Sequence, residues 1–267
     1  MTSKESLPLA QRSDADLPGH WLLARLGKRV LRPGGLELTS RLLAAAKING
    51  ADVVELGPGL GRTATDIVAQ RPRSYVGVDD TAATSETVRA VVAPVDGKVV
   101  VANAAETGLP SGSADVVIGE AMLTMQGDRD KRAIVAEAYR VLRPGGRYAI
   151  HELGLRPDDL PPDTKDEIRR DMARAIKVNA RPLTTAEWVA LLTDAGFEVE
   201  TVDHAKMALL NPARVLADEG FTGALRIVGN VIKRPAARRR VIGMRKTFHR
   251  YRRALVAVAV VGVVPTS

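Results

Sequence analysis

The chain contains no cysteine. Disulfide frameworks, thiolate metal sites and cysteine nucleophiles are thereby excluded, and the composition suits a reducing compartment. Aromatic residues make up only 3% of the 267 positions, which disfavours recognition of nucleic-acid bases by stacking. No apolar run approaches the roughly 18 residues of a membrane span. The stretch from Met1 to Gly19 is polar and of mixed charge, without the apolar centre of a secretory signal, so a cytoplasmic location is expected. Acids are missing from the C-terminal segment: eleven lysines and arginines follow Glu219 with no aspartate or glutamate, leaving 28 basic against 31 acidic residues before it. The net charge of +8 therefore belongs to one segment, and any anionic partner would have to meet the chain there. No His/Asp/Glu cluster has metal-ligand spacing, so no metal is expected. The Gly-x-Ser-x-Gly turn of serine hydrolases and the Gly-x-x-x-x-Gly-Lys-Ser/Thr phosphate loop are also absent.

The stretch around which the chain is organised is Asp52-Val53-Val54-Glu55-Leu56-Gly57-Pro58-Gly59-Leu60-Gly61-Arg62. A β-rich run, three glycines two residues apart and a helix-compatible segment predict a strand, a tight turn and a helix start. Such a turn brings backbone close to a nucleotide-like ligand. The spacing Gly-x-Gly-x-Gly, with arginine at 62, departs from the dinucleotide fingerprint. The next apolar run ends in Asp79, 22 residues beyond Gly57, where a carboxylate can accept from both hydroxyls of a ribose.

Glu55-Leu56-Gly57-Pro58-Gly59-Leu60-Gly61 followed by Gly77-Val78-Asp79 resembles the first two motifs of class I S-adenosylmethionine-dependent methyltransferases. The stretches Leu109-Pro110…Ala114-Asp115-Val116-Val117 and Arg140-Val141-Leu142-Arg143-Pro144-Gly145-Gly146 resemble the branch that methylates small molecules, including the quinone-biosynthesis type. The resemblance implies a doubly wound α/β fold with a seven-stranded, mostly parallel, Rossmann-like sheet, N-terminal helices and a helical insertion before the last strand. It implies S-adenosylmethionine as cofactor and S-adenosylhomocysteine as product. The cofactor would be held by Glu55, Gly57, Gly59, Gly61, Asp79, Asp80, Thr81, Asn103, Ala104, Ala105 and Glu120. Asn103 stands where the family usually has aspartate, and its amide oxygen can still accept from the adenine amine. The Asp/Asn-Pro-Pro-aromatic motif of enzymes that methylate exocyclic base amines is absent after strand four, where Gly119-Glu120-Ala121-Met122 stands instead.

Apolar runs and helical periods alternate through the chain, which predicts a parallel sheet covered on both faces. Strands are expected at 52–56, 74–78, 98–102, 114–118, 147–152 and 197–202. The run Ala254–Val264 is expected as the last strand, antiparallel beside strand five, with a membrane-surface anchor as the alternative. The expected division is a lead-in and helical lid over 1–48, then one methyltransferase domain over 49–267 with helical insertions at 155–182 and 211–253. The lid would bring His20 and Trp21 to the substrate, with Met125 and Glu152 as further lining; a packing role is the plain reading of Met122 and Met125. His151, at the end of strand five, is the candidate base, with Glu120 as second candidate, since methyl transfer to a hydroxyl requires one. The expected activity is methylation of a small, lipid-like, quinone-like or acidic acceptor. The basic helix Pro235–Arg253 keeps two alternatives open, RNA methylation through a 233–253 docking surface and peripheral membrane contact. A catalytically idle cofactor-binding protein and a homodimer are the remaining alternatives.

Overall fold

In a computed structural model, which describes residues 7–266, the short apolar runs form a mixed eight-stranded sheet. Its parallel part comprises β1 (Asp52–Leu56), β2 (Ser74–Asp79), β3 (Lys98–Val101), β4 (Ala114–Glu120) and β5 (Leu142–Leu155). The last strand, β8 (Leu255–Val263), runs antiparallel between β5 and β7 (Glu198–Lys206), as its unbroken apolar sequence requires of a strand buried on both faces. The order is β3-β2-β1-β4-β5-β8-β7. The eighth strand, β6, is a two-residue pairing of Leu183–Thr184 with the end of β5, a length that no periodicity can signal. Arg143-Pro144-Gly145-Gly146, which precedes the strand expected at 147–152, is part of β5: Leu142 already pairs with Ala114, and the extra residues are absorbed as a register shift.

Alternation within each strand divides the core. Val53, Val116 and Ala149 face α2 (Gly35–Ala46), α3 (Arg62–Ala69) and α4 (Ala82–Val92). Their neighbours Val54, Val117 and Ile150 face α5 (Asp128–Val141) and α7 (Thr185–Thr193). A capping box opens α7, with Glu187 N donating to Thr184 Oγ1 and Thr184 N to Glu187 Oε2. A third apolar cluster lies beyond the C-terminal end of β5. There α1 (Gly19–Arg25), α6 (Pro162–Ile176) and α9 (Pro235–Arg250) gather around Leu153, Leu155 and Leu255. Between β7 and α9, α8 (Pro212–Lys233) is broken at Gly220, whose φ of +69° and ψ of 173° are not helical. Residues 7–17 pack onto this cluster through Leu17, whereas residues 1–6 of the expected lead-in lie outside the described residues. Among the described residues no helix is long and apolar enough to cross a membrane.

β5 and β8 pack tightly because Gly154 faces Val258 and Val256. A Cβ added at 154 would stand 2.3 Å from Val258 Cγ2 and 2.9 Å from Val256 Cγ1. Gly154→Ala is expected to destabilise the fold by about 1–3 kcal/mol, lowering Tm by roughly 2–10 °C in thermal unfolding followed by circular dichroism. An unchanged Tm would show that the two strands can separate freely here.

Candidate active site

The β1–α3 turn carries Gly57, Gly59 and Gly61 at φ of +67°, +53° and +72°, a conformation that side chains with a Cβ rarely adopt. Gly57 and Gly59 form one wall of a cavity of about 590 Å³ at the C-terminal edge of the sheet, within the range of small-molecule sites. Gly61 does not line the cavity. It caps α3 in the left-handed region, close to Val88 and Val91 of α4. Asp79, at the end of β2, accepts from Gly59 N at 3.2 Å and Thr81 N at 2.9 Å, and thus braces the glycine turn. Burial pushes its carboxyl up, opposed by those backbone hydrogen bonds. Asp80, Thr81, Asn103, Ala104 and Ala105 continue the wall. Asn103 Oδ1 accepts from Ala105 N at 2.8 Å, which fixes the side-chain amide while a second lone pair stays available.

At the base of the cavity, Glu55 and Glu120 occupy contrasting environments. Glu55 is fully buried, and that burial pushes its carboxyl up to about 8 despite a 2.6 Å hydrogen bond from Tyr75 Oη. Burial acts on Glu120 in the same direction, but there the Arg32 charge and hydrogen bonds from His151 and Thr39 outweigh it. The Glu120 carboxyl is held well below the usual carboxylate range. Arg32 Nη1 donates to Glu120 Oε2, and Thr63 Oγ1 donates to the same oxygen at 2.6 Å. Thr39 Oγ1, at 2.5 Å, and His151 Nδ1, at 2.8 Å, meet Oε1.

This network corrects the expected bases. His151 is fully buried and does not line the cavity. Its Nε2 accepts from Gly34 N at 3.0 Å, so its proton sits on Nδ1 and is donated to Glu120. With both nitrogens engaged, His151 positions Glu120. Glu120 does face the cavity, but as an ion saturated with donors it is a poor proton acceptor. Glu152, expected as substrate lining, points to the other face of β5, away from the cavity. Its carboxylate accepts from Met122 N, Leu123 N and Thr124 N at 3.0, 2.7 and 3.0 Å and from Thr124 Oγ1 at 2.6 Å, holding the single helical turn Leu123–Met125.

The rest of the wall is largely apolar, with Arg29, Arg62, Gln126 and Asp130 among its polar members. His20, Trp21 and Met125 line the cavity, together with Met172 and Ile176 of α6 and Met244 and Phe248 of α9. Burial lowers the His20 imidazole to about 4, so it is neutral at physiological pH. Arg32, Thr39 and Thr63 were not legible as site residues, since each finds its partner across more than 50 residues of sequence. The apolar stripe of α9 was legible as a stripe, yet nothing in it distinguishes a cavity wall from core. Among the described residues no group of metal-ligating side chains converges.

Residues 54–150 match a family model described as a methyltransferase domain. The chain is 34% identical over 223 residues to an uncharacterized protein of Haemophilus influenzae, covering 82% of this chain and 87% of that protein. It is 35% identical over 159 residues to a probable S-adenosylmethionine-dependent methyltransferase of Mycolicibacterium smegmatis, covering 58% of this chain and 55% of the relative; the chain thus spans about half of that relative's length. A solved structure of an S-adenosylmethionine-dependent methyltransferase from Thiobacillus denitrificans, in complex with S-adenosylhomocysteine, superimposes with a TM-score of 0.65. At 17% identity, covering 93% of this chain and 99% of the other, it shares the fold.

Two predictions follow from the buried carboxyls. Glu152→Ala leaves three backbone donors unpaired and is expected to cost about 2–4 kcal/mol in denaturant unfolding. A loss below about 0.5 kcal/mol would remove Glu152 as the support of the Leu123–Met125 turn. Glu55 has a folded-state pKa above its unfolded one, so its contribution is present at low pH and is lost as pH rises through about 8. Glu55→Gln, which mimics the neutral form, is therefore expected to match the parent at pH 5 and to exceed its Tm by roughly 3 °C or more at pH 9. Equal Tm differences at the two pH values would contradict a neutral Glu55.

Proposed function

The chain belongs to the class I S-adenosylmethionine-dependent methyltransferases, and on that premise we propose that its methyl acceptor is a lipophilic small molecule enclosed beside the cofactor. The cavity's donor set fits the cofactor. Positive-φ glycines leave open space above the turn, with nothing nearer than Gly57 O at 3.9 Å to a Cβ built on Gly59. Asp79 would accept from the ribose hydroxyls, and Asn103 with Ala104 and Ala105 would hold the adenine. Glu55, neutral and lacking a counterion within hydrogen-bond range, would regain its charge beside an ammonium. When bound, S-adenosylmethionine supplies a methyl group on a sulfonium, open to in-line displacement. The chain's own residues orient the two partners and exclude water.

The observation that carries the acceptor class is the orientation of α9. Met244 and Phe248 turn into the cavity, whereas Arg238, Arg245 and Lys246 are exposed on the outer side of the helix. The basic charge therefore faces away from the transferring site, which favours the lipophilic acceptor over a polyanion or an acidic one. The wall's cations Arg32 and Arg62 are engaged with Glu120 and Asp66, and Arg29 is exposed. Five methionines, Met122, Met125, Met172, Met207 and Met244, give the apolar wall the adaptability to accept irregular ligands. Neutral His20, together with Gln126 and Asp130 on the same cavity wall, can accept from an acceptor hydroxyl or amine.

The test is release of S-adenosylhomocysteine from incubations with quinols, lipophilic phenols and amines, and with RNA as a separate arm. Turnover with a lipophilic compound is expected. Trp21→Ala should raise the KM for that compound about tenfold while cofactor affinity is unchanged. Turnover on RNA alone, indifferent to Trp21→Ala, would overturn the acceptor class.

A further inference from the structure

α8 carries an apolar face that nothing in the fold covers. Beyond the break at Gly220, Phe221, Leu225, Val228 and Ile232 recur at the four- and three-residue steps of one helix face, and each is more than half exposed. The same helix sends Ile227 inward, so the outward stripe is a second apolar face rather than a misplaced core. A contiguous exposed stripe of this kind marks an interaction surface.

Its charge surroundings identify the partner. Arg226 and Lys233 are exposed on α8, and on α9 exposed Ile242 is surrounded at helical neighbour positions by exposed Arg238, Arg239, Arg245 and Lys246. None of these six cations has an ion pair among the described residues. Acids on the adjoining segments are engaged by other partners. Glu219 accepts from Arg29 N and Val30 N, Asp218 accepts from Leu36 N, Asp14 holds Arg25 and Arg234, and Glu167 and Asp171 hold Arg250. A helix presenting bulky apolar groups beside unpaired lysines and arginines has the composition of an element that lies in the headgroup region of an anionic bilayer. We propose that the outer faces of α8 and α9 form a docking surface for a membrane bearing anionic lipid headgroups. Charge complementarity decides against the other occupants. A second copy pairing through the stripe would bring the two sets of cations together with no acid between them. A polynucleotide would pair with the cations and leave the apolar stripe exposed to water. Because α9's inner face lines the acceptor cavity, docking would place that cavity next to the bilayer. The docking surface itself stands independently of which acceptor is used.

The test uses the full chain and co-sedimentation with phosphatidylcholine vesicles, with or without about one third phosphatidylglycerol. Binding is expected to the mixed vesicles and to be at least about tenfold weaker to pure phosphatidylcholine. Phe221→Glu combined with Leu225→Glu, and separately Arg245→Glu combined with Lys246→Glu, should each weaken binding to mixed vesicles about tenfold or more. S-adenosylhomocysteine affinity and Tm report that each variant is folded, and the lipid dependence of the unaltered chain is readable without any variant. Failure to bind mixed vesicles at low salt would overturn the proposal, as would binding that neither variant weakens. So would a dimer in size-exclusion chromatography that the Phe221/Leu225 variant dissolves. Turnover is not part of the readout, so failure here leaves the acceptor reading untouched.

Discussion

Much of the site's geometry depends on one buried ion, the Glu120 carboxylate at the end of β4. An isolated carboxylate out of water is strongly unfavourable, so each of its donors has to be in place. Those donors come from every neighbouring element: Arg32 from the segment before α2, Thr39 from α2, Thr63 from α3 and His151 from β5. His151 is fixed in turn by Gly34 N. The network is therefore the joint by which the N-terminal segment is registered against the sheet edge. Removing one member leaves the others buried and unpaired, which explains why two residues suited by type to acid–base work serve here as fixed electrostatic supports.

On the opposite face of β5, Glu152 does comparable work with neutral partners. Three successive backbone N–H groups and one hydroxyl converge on it and hold the turn that carries Met122 and Met125 to the cavity. Adjacent residues on one strand thus organise two different walls, as strand alternation dictates. The third wall, from α1, α6 and α9, is apolar. The cavity is polar where a nucleoside would lie and apolar where an acceptor would, and this division follows from which elements meet there.

Most of the sheet was legible in the sequence because its central strands are short apolar runs, and the last strand's place beside β5 matched its unbroken apolar pattern. The two turns after β1 and β2 and the loop after β3, which are proposed to hold the cofactor, were equally legible, since local chemistry shows there in the sequence. Residue type misled at His151 and Glu152. His151 reads as a base and Glu152 as substrate lining, whereas both side chains are engaged by partners contributed from other segments. The Glu120 network and the exposed face of α8 were not legible for the same reason. Each depends on what packs, or fails to pack, against a residue, and a single sequence does not carry that.

The most direct test is calorimetric titration of the purified chain with S-adenosylmethionine, S-adenosylhomocysteine and NAD. The Gly57–Gly61 turn, Asp79 and Asn103 predict binding of both sulfur nucleosides in the micromolar range and none of NAD. Binding of NAD, or of none of the three, would contradict the assignment of the cavity as the cofactor site.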